Sequence, residues 1–176
     1  MKKKIEEALN EQLNAELYSS YLYLSMANYF VAQNLEGMAA WMRIQTDEER
    51  LHAMKFLDYI NDRGGRVILK QIDQPKIEWS SPLEAFEDAY NHERLVTGRI
   101  NELVNLAVEE GDHAAAAFLQ WFVSEQVEEE ATAQAVVEKL KMVGDNPVGI
   151  LMMDQQLGQR TPAPADAGDG GDAGGQ

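Results

Sequence analysis

Residues 47–54 read DEERLHAM, an acidic stretch lying inside an apolar pattern of Met38, Trp41, Met42, Gln45, Phe56 and Ile60. Glu49 and His52 fill the steps between Gln45 and Phe56, which puts both on the inward face of a helix. A lone Glu on a helix is normally solvated, because Glu is almost never fully buried unless it is paired. The meaning of this stretch therefore depends on what the rest of the chain places at the same level.

The same helical period recurs three more times. Upstream, Ile5, Leu9, Leu13, Leu17, Ser20, Tyr23, Ala27 and Phe30 follow three- and four-residue steps, with no Pro or Gly from residue 4 to 35. That predicts one helix of about 30 residues, or about 45 Å. NLEG at 34–37 breaks it, and the helix carrying DEERLHAM runs on to RGGR at 63–66. So short a connection makes the two helices antiparallel. A third pattern, through Phe86, Ala89, Glu93, Val96, Ile100, Leu103 and Ala107, starts at Ser81-Pro82 and ends near EEGD at 109–112. A fourth runs through Ala115, Phe118, Phe122, Glu129, Val136 and Leu140 and closes near Gly144.

Between the two hairpins, residues 65–81 (GRVILKQIDQPKIEWSS) have no helical period. Extended at about 3.3 Å per residue, this segment spans the length of a bundle. The prediction is all-α: a four-helix bundle with one long crossover. A short fifth helix follows at 146–157, capped by Asn146 with Pro147 in its first turn. It is too short to be stable alone, so it must dock on its own bundle or on a neighbouring subunit. The folded unit is expected over residues 1–157. Residues 158–176 are mostly Gly, Ala, Asp and Pro without a large apolar side chain, which predicts a disordered tail.

Laid onto this frame, every long helix carries a carboxylate in the inward register near mid-length. Glu16 lies between Leu13 and Ser20, Glu93 between Ala89 and Val96, and Glu129 between Phe122 and Ala133, with Glu125 or Gln126 one turn earlier. Burying an ionised carboxylate costs several kcal/mol, against about 5–15 kcal/mol for a whole domain. No Lys or Arg shares the register, so protons or bound cations must supply the missing charge, and a divalent metal pair does so economically. The spacing agrees. Glu16 precedes Glu49 by 33 residues and His52 by 36, and Glu93 precedes Gln126 and Glu129 by the same two intervals. The second hairpin repeats the first at an offset of 77, which also relates Trp41 to Phe118. One imidazole among oxygen donors suits iron or manganese, and zinc also binds such sets.

Composition bounds the alternatives. Fifteen Lys and Arg against 30 Asp and Glu give a net charge of −15, which opposes nucleic-acid and anionic-membrane partners. With no Cys, thiolate zinc sites, iron–sulfur clusters and thiol nucleophiles are excluded. The start, MKKKIEEALNEQ, lacks the apolar core of a secretory signal, and no run of about 20 apolar residues is present. A soluble, cytoplasmic protein without membrane contact is expected.

NAELYSSYLYLSMA (14–27), DEERLHAMKFLDYINDRGG (47–65), FLQWFVSEQVEEE (118–130) and ILMMDQQLGQR (150–160) together resemble the non-haem ferritins of bacteria and archaea. A bundle with a single long crossover is the arrangement of ferritin-like folds. The resemblance implies a ferroxidase that oxidises Fe(II) with dioxygen at a di-iron centre. Glu16, Glu49 and His52 would hold one iron, and Glu49, Glu93 and Glu129 the other, with Glu49 bridging. Gln126 would orient oxygen or water beside them, and Tyr23 matches a tyrosine near the family's centre. Glu48, Glu125 and Glu128, sharing Glu129, match a third iron position. Gln126 and Glu129 stand where a symmetric centre carries Glu and His, so no haem is expected. The resemblance further implies a homo-oligomeric shell of 24 subunits storing ferric mineral. Competing readings are a di-iron redox enzyme of the rubrerythrin or oxygenase type, a structural bundle, and a smaller dodecameric iron-binding shell. His92 and His113 lie outside the inward register and read as surface or capping residues.

Overall fold

The computed structural model describes residues 1–162. Among these there are five helices and no strand: α1 (Lys3–Ala32), α2 (Glu36–Asp62), α3 (Pro82–Glu109), α4 (His113–Val143) and α5 (Pro147–Leu157). α1 packs along α2, and α3 along α4, making two antiparallel hairpins that meet side by side. The predicted bundle, crossover and fifth helix are all observed. No described helix is long and apolar enough to cross a membrane.

Each helix changes character along its inward stripe, and this is what positions the site. On α1 the stripe runs Ile5, Leu9 and Leu13, then Glu16 and Ser19, then Tyr23, Met26 and Phe30. α3 gives Phe86 and Ala89, then Glu93, then Val96 and Ile100. α1 and α4 run opposite to α2 and α3, and the polar residues sit near the middle of each helix, so the apolar ends gather into two separate clusters. One is built around Tyr23, Phe30, Met38, Trp41 and Phe86, the other around Leu9, Leu13, Phe56, Ile100 and Phe122. The polar layer lies between them. At about 1.5–3 kcal/mol per buried large side chain, these two clusters supply the free energy that allows the layer to be polar.

The helix ends follow their local chemistry. Ser81 accepts from Glu84 N at 3.1 Å and Asn146 accepts from Val148 N at 3.0 Å, as expected from the sequence. Asp112 caps α4 through Ala115 N at 3.0 Å and also pairs with Arg63 at 3.1 Å. The α1–α2 break is tighter than NLEG suggests, since Glu36 and Gly37 are already helical. Asn34, at φ 58°, takes the left-handed turn, which Asn tolerates better than other side chains bearing a Cβ.

The crossover is fastened to α1 by side chains that act as a strand edge would. Asn10 accepts from Ile68 N at 2.7 Å and donates to Arg66 O at 3.0 Å, and Asn14 repeats the pattern with Lys70 N and Ile68 O. α5 docks on its own chain. Asp154 accepts from Met38 N at 2.8 Å and so caps α2, while Gly37 faces the Asp154 carbonyl so closely that an added Cβ would lie 1.8 Å from its oxygen. The sequence ends the folded unit at Leu157, but the chain keeps contact with the bundle as far as Arg160. The rest of the expected tail, residues 163–176, lies outside the described residues.

Candidate metal centre

The polar layer brings one carboxylate from each long helix to the bundle axis. Glu16, Glu49 and Glu93 are each 1 % exposed, Glu129 6 % and His52 4 %, which for ionisable groups demands compensation. Glu16, Glu49 and His52 each offer a ligand atom within 4.8 Å of the others, and His52, Glu125 and Glu129 form a second such group. His52 belongs to both. Its ring is steered by the edges of Trp121 and Phe122, at centroid distances of 5.4 and 6.0 Å.

Hydrogen bonding distinguishes the carboxylates. Glu93 is held on both oxygens: Tyr23 Oη donates to Oε1 in a short contact, and Gln126 Nε2 donates to Oε2 at 3.1 Å. Gln45 Nε2 donates to Glu129 Oε2 at 2.9 Å, and Gln12 Nε2 to Glu16 Oε1 at 2.8 Å. Among the described residues, Glu16 Oε2 and both oxygens of Glu49 have no hydrogen-bond partner. An unsatisfied buried polar atom costs about 1–3 kcal/mol, more when charged, so three in one place need an explanation.

Electrostatics point the same way. Burial, and then the charge of Glu49, push the Glu16 carboxyl well above the ordinary range. Glu49 is raised as strongly, by burial and by Glu93 and Glu129. Burial raises Glu93, and burial with the neighbouring Glu93 raises Glu129 to about 7. Burial and the Glu93 charge also keep the Tyr23 phenol protonated, as a donor must be. Without a cation, the cluster holds protons in place of metal. The donor set fits a metal pair. Glu49 lies centrally with two open oxygens, and each already bonded carboxylate oxygen retains a further lone pair.

Not every candidate from the sequence joins this cluster. Glu48 is engaged by Arg160 at 2.7 Å, and Glu128 is exposed. Glu125 is half-buried and faces His52 and Glu129. His113 is exposed at the start of α4, as expected. His92 is half-buried rather than a free surface residue: its ring lies 6.1 Å from Tyr18 and from Tyr23, and Nε2 meets Ser19 Oγ at 2.7 Å. Burial lowers its pKa to about 4, so it stays neutral. Two arginines escaped the register argument because they act one residue removed. Arg99 Nε donates to Gln12 Oε1 at 3.1 Å, and Arg160 donates to Gln45 Oε1 in a short contact.

A profile of the ferritin-like domain matches residues 6–143, which span the four long helices except the first three residues of α1 and include every residue of the central cluster. The chain is a member of the ferritin family. It is 48 % identical over 157 residues to the bacterial non-heme ferritin of Bacteroides fragilis, covering 89 % of this chain and 98 % of that one. It is 40 % identical over 161 residues to the bacterial non-heme ferritin of Staphylococcus epidermidis, covering 92 % and 97 %. The open pore ferritin of the hyperthermophilic archaeon Archaeoglobus fulgidus superposes with a TM-score of 0.90 at 52 % identity, over 92 % of this chain and 99 % of that one.

Proposed function

We propose that this ferritin takes up Fe(II), oxidises it with dioxygen at the central cluster, and stores the ferric product inside a shell of identical subunits, most simply of 24. The observation that carries this reading is the set of three carboxylate oxygens on Glu16 and Glu49 that accept no hydrogen bond, buried where four helices converge, with His52 Nδ1 3.6 Å from Glu49 Oε2. Hard oxygen donors and one imidazole suit iron as substrate. Glu16, Glu49 and His52 hold one ion, and Glu49, Glu93 and Glu129 the other, with Glu49 between them.

Binding expels the protons that the crowded carboxyls retain, since only the deprotonated groups ligate. Each Fe(II) gives one electron to dioxygen, which takes up two electrons and leaves at the peroxide level. The carboxylates favour this step because they stabilise the higher charge of Fe(III) more than that of Fe(II). Tyr23 and Gln126 keep Glu93 oriented, and the two apolar clusters keep bulk water out of the layer. Glu125, with His52 and Glu129, is the natural route for a third ion toward the interior. Glu48 can join it once Arg160 lets go, and Glu128 extends the acidic face outward.

Assembly is supported by apolar side chains left on the surface. Tyr21, Leu24, Ile72 and Ile77 line a groove between α1 and the crossover, and Leu151 and Met152 are 56 % and 66 % exposed on the outer face of α5. Contiguous apolar surface of this kind marks interaction sites. A net charge of −15 draws cations toward the shell. The absence of Cys disfavours a rubrerythrin-type electron carrier. We also place the protein in the cytoplasm, without haem and without nucleic-acid or membrane partners.

The test is Fe(II) oxidation in air by wild type, Glu49→Gln and His52→Ala, with electron microscopy of the same samples. Outer partners of metal ligands are worth about 10–100-fold, so losing a ligand should slow oxidation at least that much while the shells persist. Unchanged oxidation in both variants, or wild-type chains that stay monomeric and form no mineral core, would overturn the reading.

A further inference from the structure

Arg160 lies beyond α5, where the sequence ends the folded unit, and it reaches back across α2 to the edge of the polar layer. Its guanidinium makes three contacts: Nη1 donates to Gln45 Oε1, Nη2 meets Glu48 Oε2 at 2.7 Å, and Cζ lies 4.7 Å from the centre of the Trp41 ring. Gln45 is fully buried, and its other amide atom, Nε2, donates to Glu129 Oε2 at 2.9 Å. These contacts fix a direction. A guanidinium only donates, so Gln45 must turn its carbonyl oxygen to Arg160, which leaves its NH2 facing Glu129. Without that grip the amide is free to rotate by half a turn, and the flipped form would set Gln45 Oε1 against a carboxylate oxygen.

We propose that Arg160 is a positioning residue for the metal centre, acting through Gln45 to hold Glu129 in its ligating orientation. The inference rests on the metal-centre reading above. The ion pair with Glu48 and the Trp41 face hold the guanidinium at its station, so the grip on Gln45 does not rely on one bond. The opposite side of the layer is built alike. There Arg99 Nε donates to Gln12 Oε1, and Gln12 Nε2 donates to Glu16 Oε1. The difference lies in the source. Arg99 comes from α3, inside the bundle, whereas Arg160 comes from the segment that follows α5. The ligand Glu129 is thereby tied to the docking of the chain's C-terminal part.

Co(II), which is not oxidised under these conditions and whose visible absorption reports coordination, is the probe. Full-length wild type, Arg160→Ala, Gln45→Ala and the double variant are titrated with Co(II), with thermal unfolding of each metal-free protein alongside. Wild type should bind two ions. Arg160→Ala should weaken the second by about 10–100-fold and alter its spectrum while leaving the first within about twofold. Gln45→Ala should do the same, and the double variant should be no worse than Gln45→Ala alone, because the two residues act in series. An Arg160→Ala protein with wild-type Co(II) binding overturns the proposal alone, and so do additive losses in the double variant. If the wild type binds no Co(II), the metal-centre reading falls and this inference with it. Should Arg160→Ala fold poorly, Arg160→Lys takes its place: a point charge can pair with Glu48 but lacks the two-pronged grip, so the second ion should still be weakened.

Discussion

At the scale of single residues, the central layer is a set of buried acids, and the proposed function assigns their neutralisation to bound iron. Glu49 shows this best, with no hydrogen bond found to either oxygen and the carboxylates of Glu16, Glu48, Glu93 and Glu129 around it. Replacing it with Gln in the metal-free chain removes a carboxyl whose ionisation burial opposes in the fold but not in the unfolded chain. The Glu49→Gln protein should therefore unfold at a higher temperature than wild type in chelator at pH 8, even as it loses metal binding. A lower midpoint under those conditions would contradict the electrostatic account. Tyr23→Phe should behave in the opposite sense. It takes a donor from Glu93 and leaves a buried oxygen unpaired, at a cost of about 1–3 kcal/mol measurable by denaturant titration of the metal-free protein. The sequence identified Glu16, Glu49, His52, Glu93, Gln126 and Glu129 because each breaks an apolar stripe at a fixed phase. It could not identify Arg99, Arg160 or the packed state of His92. Those side chains approach from off the stripe, and helical phase says nothing about how far a long side chain reaches.

At the scale of elements, the bundle is joined at places where one segment completes another. α2 has no side-chain cap of its own at Leu35, and Asp154 of α5 supplies it. Gly37 permits that approach, because any Cβ there would overlap the Asp154 carbonyl. Gly37→Ala should cost about 1–3 kcal/mol through overpacking, which for a chain of this size lowers the melting midpoint by roughly 2–12 °C in differential scanning calorimetry. An unchanged midpoint would mean that α5 does not dock as described. The sequence showed that α5 exists and must dock. The partner was hidden because the signal, a glycine in the first turn of α2, looks like part of a loop. The crossover is similar: its extended character was legible from the lost period, but the Asn10 and Asn14 rungs that hold it were not. Such side chains are ordinary on an exposed helix face until another segment is laid across them.

At the scale of the whole molecule, the raised carboxyls make folding depend on pH and on metal together. Glu129 titrates near 7 in the folded chain, against an ordinary value of 4.5. Its unfolded form is thus ionised where its folded form still holds a proton. Stability from this group is complete below about 4.5 and is lost as pH rises through about 7. At 1.36 kcal/mol per unit, Glu129 alone accounts for about 3 kcal/mol, and Glu16, Glu49 and Glu93 act in the same direction. Metal-free protein should melt at a higher temperature at pH 5.5 than at pH 8, and a divalent cation should restore the midpoint at pH 8. A midpoint in chelator that rises with pH over this range would refute the linkage. The exposed apolar faces belong to this scale too. Leu151→Asp on the outer face of α5 should leave the bundle intact by circular dichroism while reducing the assembled fraction in size-exclusion chromatography.

The sequence by itself determined the architecture and the composition of the central layer, because both are written as periodicity. Apolar stripes of period 3.6 specify helices, the long aperiodic link specifies the crossover, and the paired intervals of 33 and 36 align four acidic breaks at one level. Only the tertiary structure decided which partner each acid has. It bonded Glu93 to Tyr23 and Gln126, left Glu49 open, and brought Arg160 back to Gln45 from beyond the last helix. Those outcomes depend on distances between segments far apart in the chain. Such distances arise when the two hairpins pack, and no local pattern encodes them.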